Sequence, residues 1–120
     1  MNSREIGFAK EKEVAEHLKK LGYKILETNF SCKFGEIDII AKHKKAVVFV
    51  EVRYRKSQNA GTPQETVTFA KQQKIIKSAI TYIKQNNLKM DFRFDIAAVE
   101  ADKITVIESA FTVPESQYYI

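Results

Sequence analysis

The segment GEIDIIAKHKKAVVFVEVRYR, Gly35 to Arg55, constrains the fold more than any other part of the chain. It reads as two strands, Glu36–Ala41 and Ala46–Arg55, joined by the polar turn His43-Lys44-Lys45. A turn this short makes the two strands antiparallel neighbours. The second run begins apolar on both faces, the pattern of a strand covered on both sides. A sheet with layers above and below is therefore required. Within these buried runs stand Asp38 and Glu51. Burying an unpaired carboxylate is costly, so each needs an ion partner, a hydrogen-bond donor or a metal.

The rest of the chain supplies the layers. From about Gly7 to Leu21, the residues Phe8, Glu11, Val14, Ala15, Leu18 and Leu21 share one face at the 3.6-residue period. Lys12, Glu13, Glu16, Lys19 and Lys20 lie opposite, and Gly22 supplies the stop. Glu11 is out of place in that apolar stripe. Tyr23–Phe30 reads as a strand preceding the hairpin, and Ser57-Gln58-Asn59-Ala60-Gly61 as a loop. Thr62-Pro63-Gln64-Glu65 has capping-box spacing, with proline at the first helical position. The long helix that follows begins at Thr62, or again at Thr68, and ends near Asn86-Asn87. Its expected apolar face is Phe69, Ile76, Ala79, Ile80 and Ile83, with Lys71, Lys74, Lys77 and Lys84 opposite. Phe92–Val99 and Ile104–Ala110 complete the strands, with Asp102-Lys103 at the turn. Phe111–Ile120 forms a tail that packs on the body or on a second subunit. The order predicts one three-layer α/β domain over residues 1–120, a central mixed sheet of about five strands flanked by helices.

With 120 residues, 44% of them apolar, the chain suits a single domain with a real core. Cys32 is alone, so no intrachain disulfide forms. The N-terminus lacks the apolar stretch of a secretory signal, and no run reaches the roughly 18 apolar residues of a spanning helix. A cytoplasmic protein with no membrane partner is the expectation. A net charge of +5 and a pI near 9.3 lean toward anionic partners, nucleic acid first. No Gly-rich phosphate loop or Ser/His/Asp arrangement is present. His17 and His43 have no ligand partners at metal-binding spacing.

Asp38 and Glu51 are the candidates for chemistry. Neighbouring strands lie about 4.8 Å apart. In a hairpin centred on His43-Lys44, Asp38 falls opposite the Val48–Val50 region, and a shift of a residue or two brings it beside Glu51. Two carboxylates that close raise each other's pKa. A divalent cation relieves the repulsion, and Mg²⁺ commonly takes one or two carboxylates plus waters and substrate phosphate. Asp38 and Glu51 thus suit a Mg²⁺ or Mn²⁺ site, with Glu11 adding a third carboxylate directly or through water. Arg53 is placed to stabilise charge developing on a phosphorane. Such a site suits phosphodiester hydrolysis. Plainer alternatives stay open at this point: Arg53 or Arg55 pairing with Glu51, a cap or salt bridge at Glu11, and a solvated lysine face on the long helix. Asp95, alternating with Arg93 in FRFDIAAVE, reads as a structural partner.

The chain resembles the small bacterial YraN-type family over about residues 4 to 100. GEIDIIA (35–41) followed by VFVEVRYR (48–55) carries most of the likeness. AEHLKKLGY, GTPQETVTFAKQQK and RFDIAAV support it in order and spacing. That family is similar in pattern to the restriction-endonuclease-like nucleases and to archaeal Holliday-junction resolvases. The resemblance implies a metal site on the central strands, a nucleic-acid partner, DNA above all, and a homodimer, since two strands must be cut. It implies catalytic roles for Glu11, Asp38, Glu51 and Arg53, with Asp38 and Glu51 as the metal ligands. Lys71 and Gln72 match a basic and polar pair facing the substrate backbone, and Lys74 and Arg55 are grouped with them as nucleic-acid contacts. The superfamily's carboxylate-any-lysine element falls on Glu51, Val52 and Arg53, so arginine stands where lysine is usual. Arginine stays charged at any working pH. It stabilises charge or positions a water but takes no proton.

Two other classes fit the same residues. One is a nucleic-acid-binding module without catalysis, whose binding would be salt-sensitive and indifferent to Asp38→Ala. The other is an interaction protein on the same fold that uses residues 111–120 as its contact surface.

Overall fold

A computed structural model describes residues 3–55 and 61–113. The expected loop at 57–60, the tail beyond Val113 and the side chain of Phe8 lie outside the described residues. The elements are α1 (Ser3–Lys20), β1 (Lys24–Cys32), β2 (Gly35–His43), β3 (Ala46–Arg55), α2 (Phe69–Gln85), β4 (Asp91–Glu100) and β5 (Lys103–Phe111). A short 3-10 turn, Gln64–Thr66, precedes α2. The strands form one sheet in the order β1-β2-β3-β4-β5. β3 and β4 are parallel, while β1–β2, β2–β3 and β4–β5 are antiparallel. A parallel pair needs a crossover connection, and α2 lies in it.

The two faces of the sheet carry two cores. Val14, Ala15 and Leu18 of α1 pack on Ile39, Ala41, Val48, Val50 and Ala97. Ile75, Ile76, Ala79 and Tyr82 of α2 pack on Ile40, Val47, Phe49, Phe94 and Ile96. The central strands are therefore apolar on both sides, as a covered sheet requires. Among the described residues, no helix is long and apolar enough to cross a membrane.

Three local features correct the periodicity reading. The β2–β3 turn is centred on Lys44-Lys45, both left-handed at φ 49° and 67°, and not on His43-Lys44. This is the backbone of a two-residue hairpin turn, normally given to Gly or Asn. Moving the centre by one residue moves the cross-strand partners by two, so Ile39 pairs with Val50. Next, α1 ends at Lys20. Gly22 takes φ 93°, with Gly22 N bonded to Lys19 O and Tyr23 N to Leu18 O, and this Schellman stop leaves Leu21 49% exposed, outside the core. Last, Val67 is extended and Thr68 is the N-cap of α2, its hydroxyl accepting from Lys71 N. Phe69 is thus the first residue of the helix, before the buried stripe begins. It is 69% exposed and does not belong to the apolar face.

Asp95 is the structural partner its spacing suggested. It is fully buried on the α1 side. Its carboxylate accepts from Tyr23 Oη at 2.7 Å, Arg93 Nε and Nη2 at 2.8 Å, and Ser109 N at 3.1 Å. Arg93 Nη1 also lies 3.2 Å from Glu108 Oε1, and its Nη2 meets His43 Nδ1 at 2.8 Å. The His43 ring stacks on Tyr23 at 3.9 Å between centroids. This network joins the end of β2 and the start of β1 to β4 and β5. Removing one member of a buried ion pair leaves the other uncompensated. Asp95→Ala should therefore cost about 3–5 kcal/mol of unfolding free energy, read from urea denaturation.

Candidate functional site

The site is built where β2 stops obeying strict alternation. Ile37 packs with Ile40 on the α2 side, although Ile39 between them packs on the α1 side. The described β2–β3 ladder runs from the turn only as far as Ile39 and Val50. Asp38 is the next residue and stands level with Glu51. In place of a further main-chain bond, Asp38 Oδ2 accepts the Val52 N–H at 2.8 Å. The side chain thus satisfies a backbone donor and is fixed between the strands. Glu51 continues the α2-facing row of Val47 and Phe49, and is only 6% exposed.

The carboxylates feel each other. Burial first, and the Glu51 charge second, push Asp38 up to about 6 against the opposing pull of the Val52 N–H and Lys71. Lys71 Nζ reaches Glu51 Oε1 at 3.0 Å, and Arg53 Nη1 is 3.8 Å from the same oxygen. Arg53 is held from behind. Its Nε donates to Thr66 Oγ1 at 3.1 Å and its Nη2 to Thr66 O at 2.9 Å. The 3-10 turn therefore sets the guanidinium beside Glu51.

Together these groups line a cleft of about 440 Å³. Glu36, Asp38 and Glu51 contribute from the sheet, and Thr68, Lys71 and Lys74 from the first turns of α2. Of the residues expected at the site, Asp38, Glu51, Lys71 and Lys74 line this cleft, and Arg53 adjoins it. Glu11 faces a neighbouring cleft with Lys12, Thr28 and Asn29. There burial first, and then the Asp38 charge, raise its pKa, while a hydrogen bond from Asn29 opposes them. Its Oε2 is buried with no hydrogen-bond partner. Tyr54 stands close enough to both acids that burial, then Glu11, then Asp38 push its hydroxyl up to about 12. Gln72 Nε2 donates to Val67 O at 3.1 Å and ties α2 to the segment before it. Arg55 lies outside the cleft: its Nη1 is 3.2 Å from Glu100 Oε1, its Nη2 donates to Gly61 O, and its side chain is buried.

Among the described residues, no group of three or more His, Cys, Asp or Glu side chains is close enough to hold an ion. The pair Asp38–Glu51 still fits a hard divalent cation that keeps waters and substrate oxygens as its remaining ligands. Both are carboxylates, they share one cleft, and one has its ionisation suppressed by the other. Four contributors went unnoticed in the sequence. Glu36 was visible two residues before Asp38, and Asn29 as an asparagine inside a strand, where it takes φ 53°. Thr68 had appeared only as a helix start. Thr66 carried no signal at all.

The model of a family described as "Uncharacterised protein family UPF0102" matches residues 10–99. A UPF0102 protein of Caldanaerobacter subterraneus subsp. tengcongensis is 50% identical over 109 residues, covering 88% of this chain and 89% of that protein. One from Sulfurihydrogenibium sp. is 42% identical over 104 residues, covering 86% and 90%. One from Caldicellulosiruptor saccharolyticus is 42% identical over 118 residues, covering 92% and 100%.

The raised Asp38 has a stability consequence. Between its ordinary 3.8 and about 6, the native state binds more protons than the unfolded chain, so stability falls as pH rises through that window. Asp38→Asn removes the charge. In EDTA the variant should be more stable than wild type by about 2 kcal/mol at neutral pH, and equal to it near pH 4, in denaturant titrations.

Proposed function

The chain belongs to the uncharacterised protein family UPF0102, and on that footing we propose that it is a Mg²⁺- or Mn²⁺-dependent endonuclease hydrolysing DNA phosphodiesters, with branched or repair-intermediate DNA as its substrates. One observation carries the reading. Two largely buried carboxylates stand level on adjacent central strands, in a cleft whose other wall is lysine.

Asp38 and Glu51 would hold the metal, which when bound polarises the scissile phosphoryl oxygen and activates a water. Arg53 keeps a permanent positive charge beside Glu51 and stabilises charge developing on the phosphorus oxygens. It takes no proton. Lys71 and Lys74 line the path of the phosphate backbone, and the positive end of the α2 dipole opens on the same cleft at Thr68. Glu11 assists from the neighbouring cleft, where its free Oε2 accepts a hydrogen bond from water. Two copies acting together would cut two strands.

One contact favours a second reading, a nucleic-acid-binding module without hydrolysis. Lys71 already neutralises Glu51 at 3.0 Å. That reading requires affinity that falls steeply with salt, weakens on charge reversal at Lys71 and Lys74, and is indifferent to Asp38→Ala.

Labelled linear and four-way-junction DNA, incubated with and without Mg²⁺ or Mn²⁺, separates the two. Metal-dependent cleavage is expected, abolished by Asp38→Ala and Glu51→Ala and reduced about a hundred-fold by Arg53→Ala. Absence of cleavage on every substrate overturns the hydrolase reading. In thermal melts, Mn²⁺ at a hundred times its dissociation constant should stabilise the wild type by about 2.7 kcal/mol. The same melts on Asp38→Asn should show no such gain.

A further inference from the structure

The rim of the cleft carries two aromatic side chains that neither the core nor the hydrolytic residues use. Phe69 is the first residue of α2, between the cleft-lining Thr68 and Ala70, and is 69% exposed. Phe34 occupies the two-residue turn Lys33-Phe34 between β1 and β2, next to the cleft-lining Gly35, and is 36% exposed. Lys33 Nζ lies 5.1 Å, and Lys77 Nζ 5.8 Å, from the Phe34 ring centre. A Cβ on Gly35 would sit 4.0 Å from Lys74 Cβ, so this turn rests against α2 about where Lys74 emerges. Phe69 and Lys77 are eight residues apart on α2, a rise of about 12 Å. The two rings therefore bracket a row of lysines: Lys71 and Lys74 between them, Lys33 and Lys77 at the Phe34 end. Glu36, Asp38 and Glu51 lie at the cleft beside that row.

Helix stability does not explain this choice of residues. First turns favour acidic side chains, which complement the helix dipole. The first turn of α2 has none, and carries Lys71 at its third position. A phenylalanine at the opening position leaves most of its apolar surface in water. Single exposed apolar residues are ordinary, but two at the ends of one basic row form a continuous surface of alternating charge and π-face. That is the composition of single-strand binding grooves, where lysines track phosphates and rings stack on bases. Paired bases in a duplex keep their faces covered; unpaired bases offer them.

We propose that Phe69 and Phe34 are stacking platforms for unpaired bases, so that this protein takes DNA carrying a single-stranded segment in preference to blunt duplex. The inference rests on the nucleic-acid reading of the cleft and names the substrate class within it. Phe69 is a positioning residue: it holds the strand and leaves the chemistry to the carboxylates.

The test is a binding measurement in EDTA at low salt, where nothing is cleaved. Fluorescence anisotropy compares a blunt duplex, the same duplex with a single-stranded tail, and the tail strand alone. The wild type should bind the tailed DNA about ten-fold more tightly than the blunt form. Phe69→Ala, with an unchanged melting temperature, should lose most of that preference, and Phe34→Ala part of it. The chain has no tryptophan, so Phe69→Trp keeps the stacking face and adds a single reporter. Its fluorescence should be quenched by tailed DNA and not by blunt duplex. Equal affinity of the wild type for tailed and blunt DNA overturns the proposal, as does an undiminished preference in Phe69→Ala. A protein that discriminates here but never cleaves with metal loses only the hydrolase reading. One that cleaves but does not discriminate loses only this inference.

Discussion

The site depends on a turn that lies some distance from it. Lys44 and Lys45 both adopt left-handed backbone, a conformation that costs an ordinary residue about 1–2 kcal/mol. The long strands on either side outweigh that cost, because each buries apolar side chains on both faces of the sheet. The turn then dictates the pairing of every residue beyond it. Had its centre lain one residue earlier, Asp38 would have faced Phe49, and Glu51 would have had no acidic neighbour. As it stands, Asp38 comes level with Glu51 and takes the Val52 N–H that would otherwise lack a partner. Cross-strand position, carboxylate repulsion and the Lys71 contact all follow from that single register.

Two buried acidic positions in this protein meet opposite fates, and the comparison separates scaffold from site. Asp95 lies on the α1 face with its oxygens filled by Tyr23, Arg93 and Ser109. Its charge is matched, its geometry closed, and four parts of the chain are tied through it. Asp38 lies on the α2 face with one backbone donor and an acidic neighbour. Its charge is poorly tolerated and opens on a cleft. A sheet stabilised on one face by a closed network can bear an uncompensated pair on the other.

Much of this was legible in the residues, for identifiable reasons. The strands showed themselves because alternation and β-branched runs are local signals, and Asp38, Glu51 and Glu11 stood out because each interrupts an apolar pattern. The family-level likeness to YraN-type proteins agrees with the UPF0102 relatives, which span nearly the whole chain. What could not be read was anything decided across a distance or by a terminus. Lysines give no warning of a left-handed turn, since Gly or Asn usually mark one. Periodicity placed Phe69 and Leu21 in the core because it cannot tell where a helix begins or stops. The roles of Arg55, Gln72 and Arg53 depend on Glu100, Val67 and Thr66, partners that only the folded chain brings near. Glu11 was rightly seen to face inward, yet α1 delivers it to the adjoining cleft.

The wall formed by α2 is also the link between β3 and β4, the parallel pair at the centre of the sheet. A helix in that position cannot swing like a lid without dragging apart the strands it joins. The opening is consequently of fixed width, and whatever enters must adapt to it. Selection among entrants then falls to long, mobile side chains at its margin, with the main chain serving as a rigid gauge.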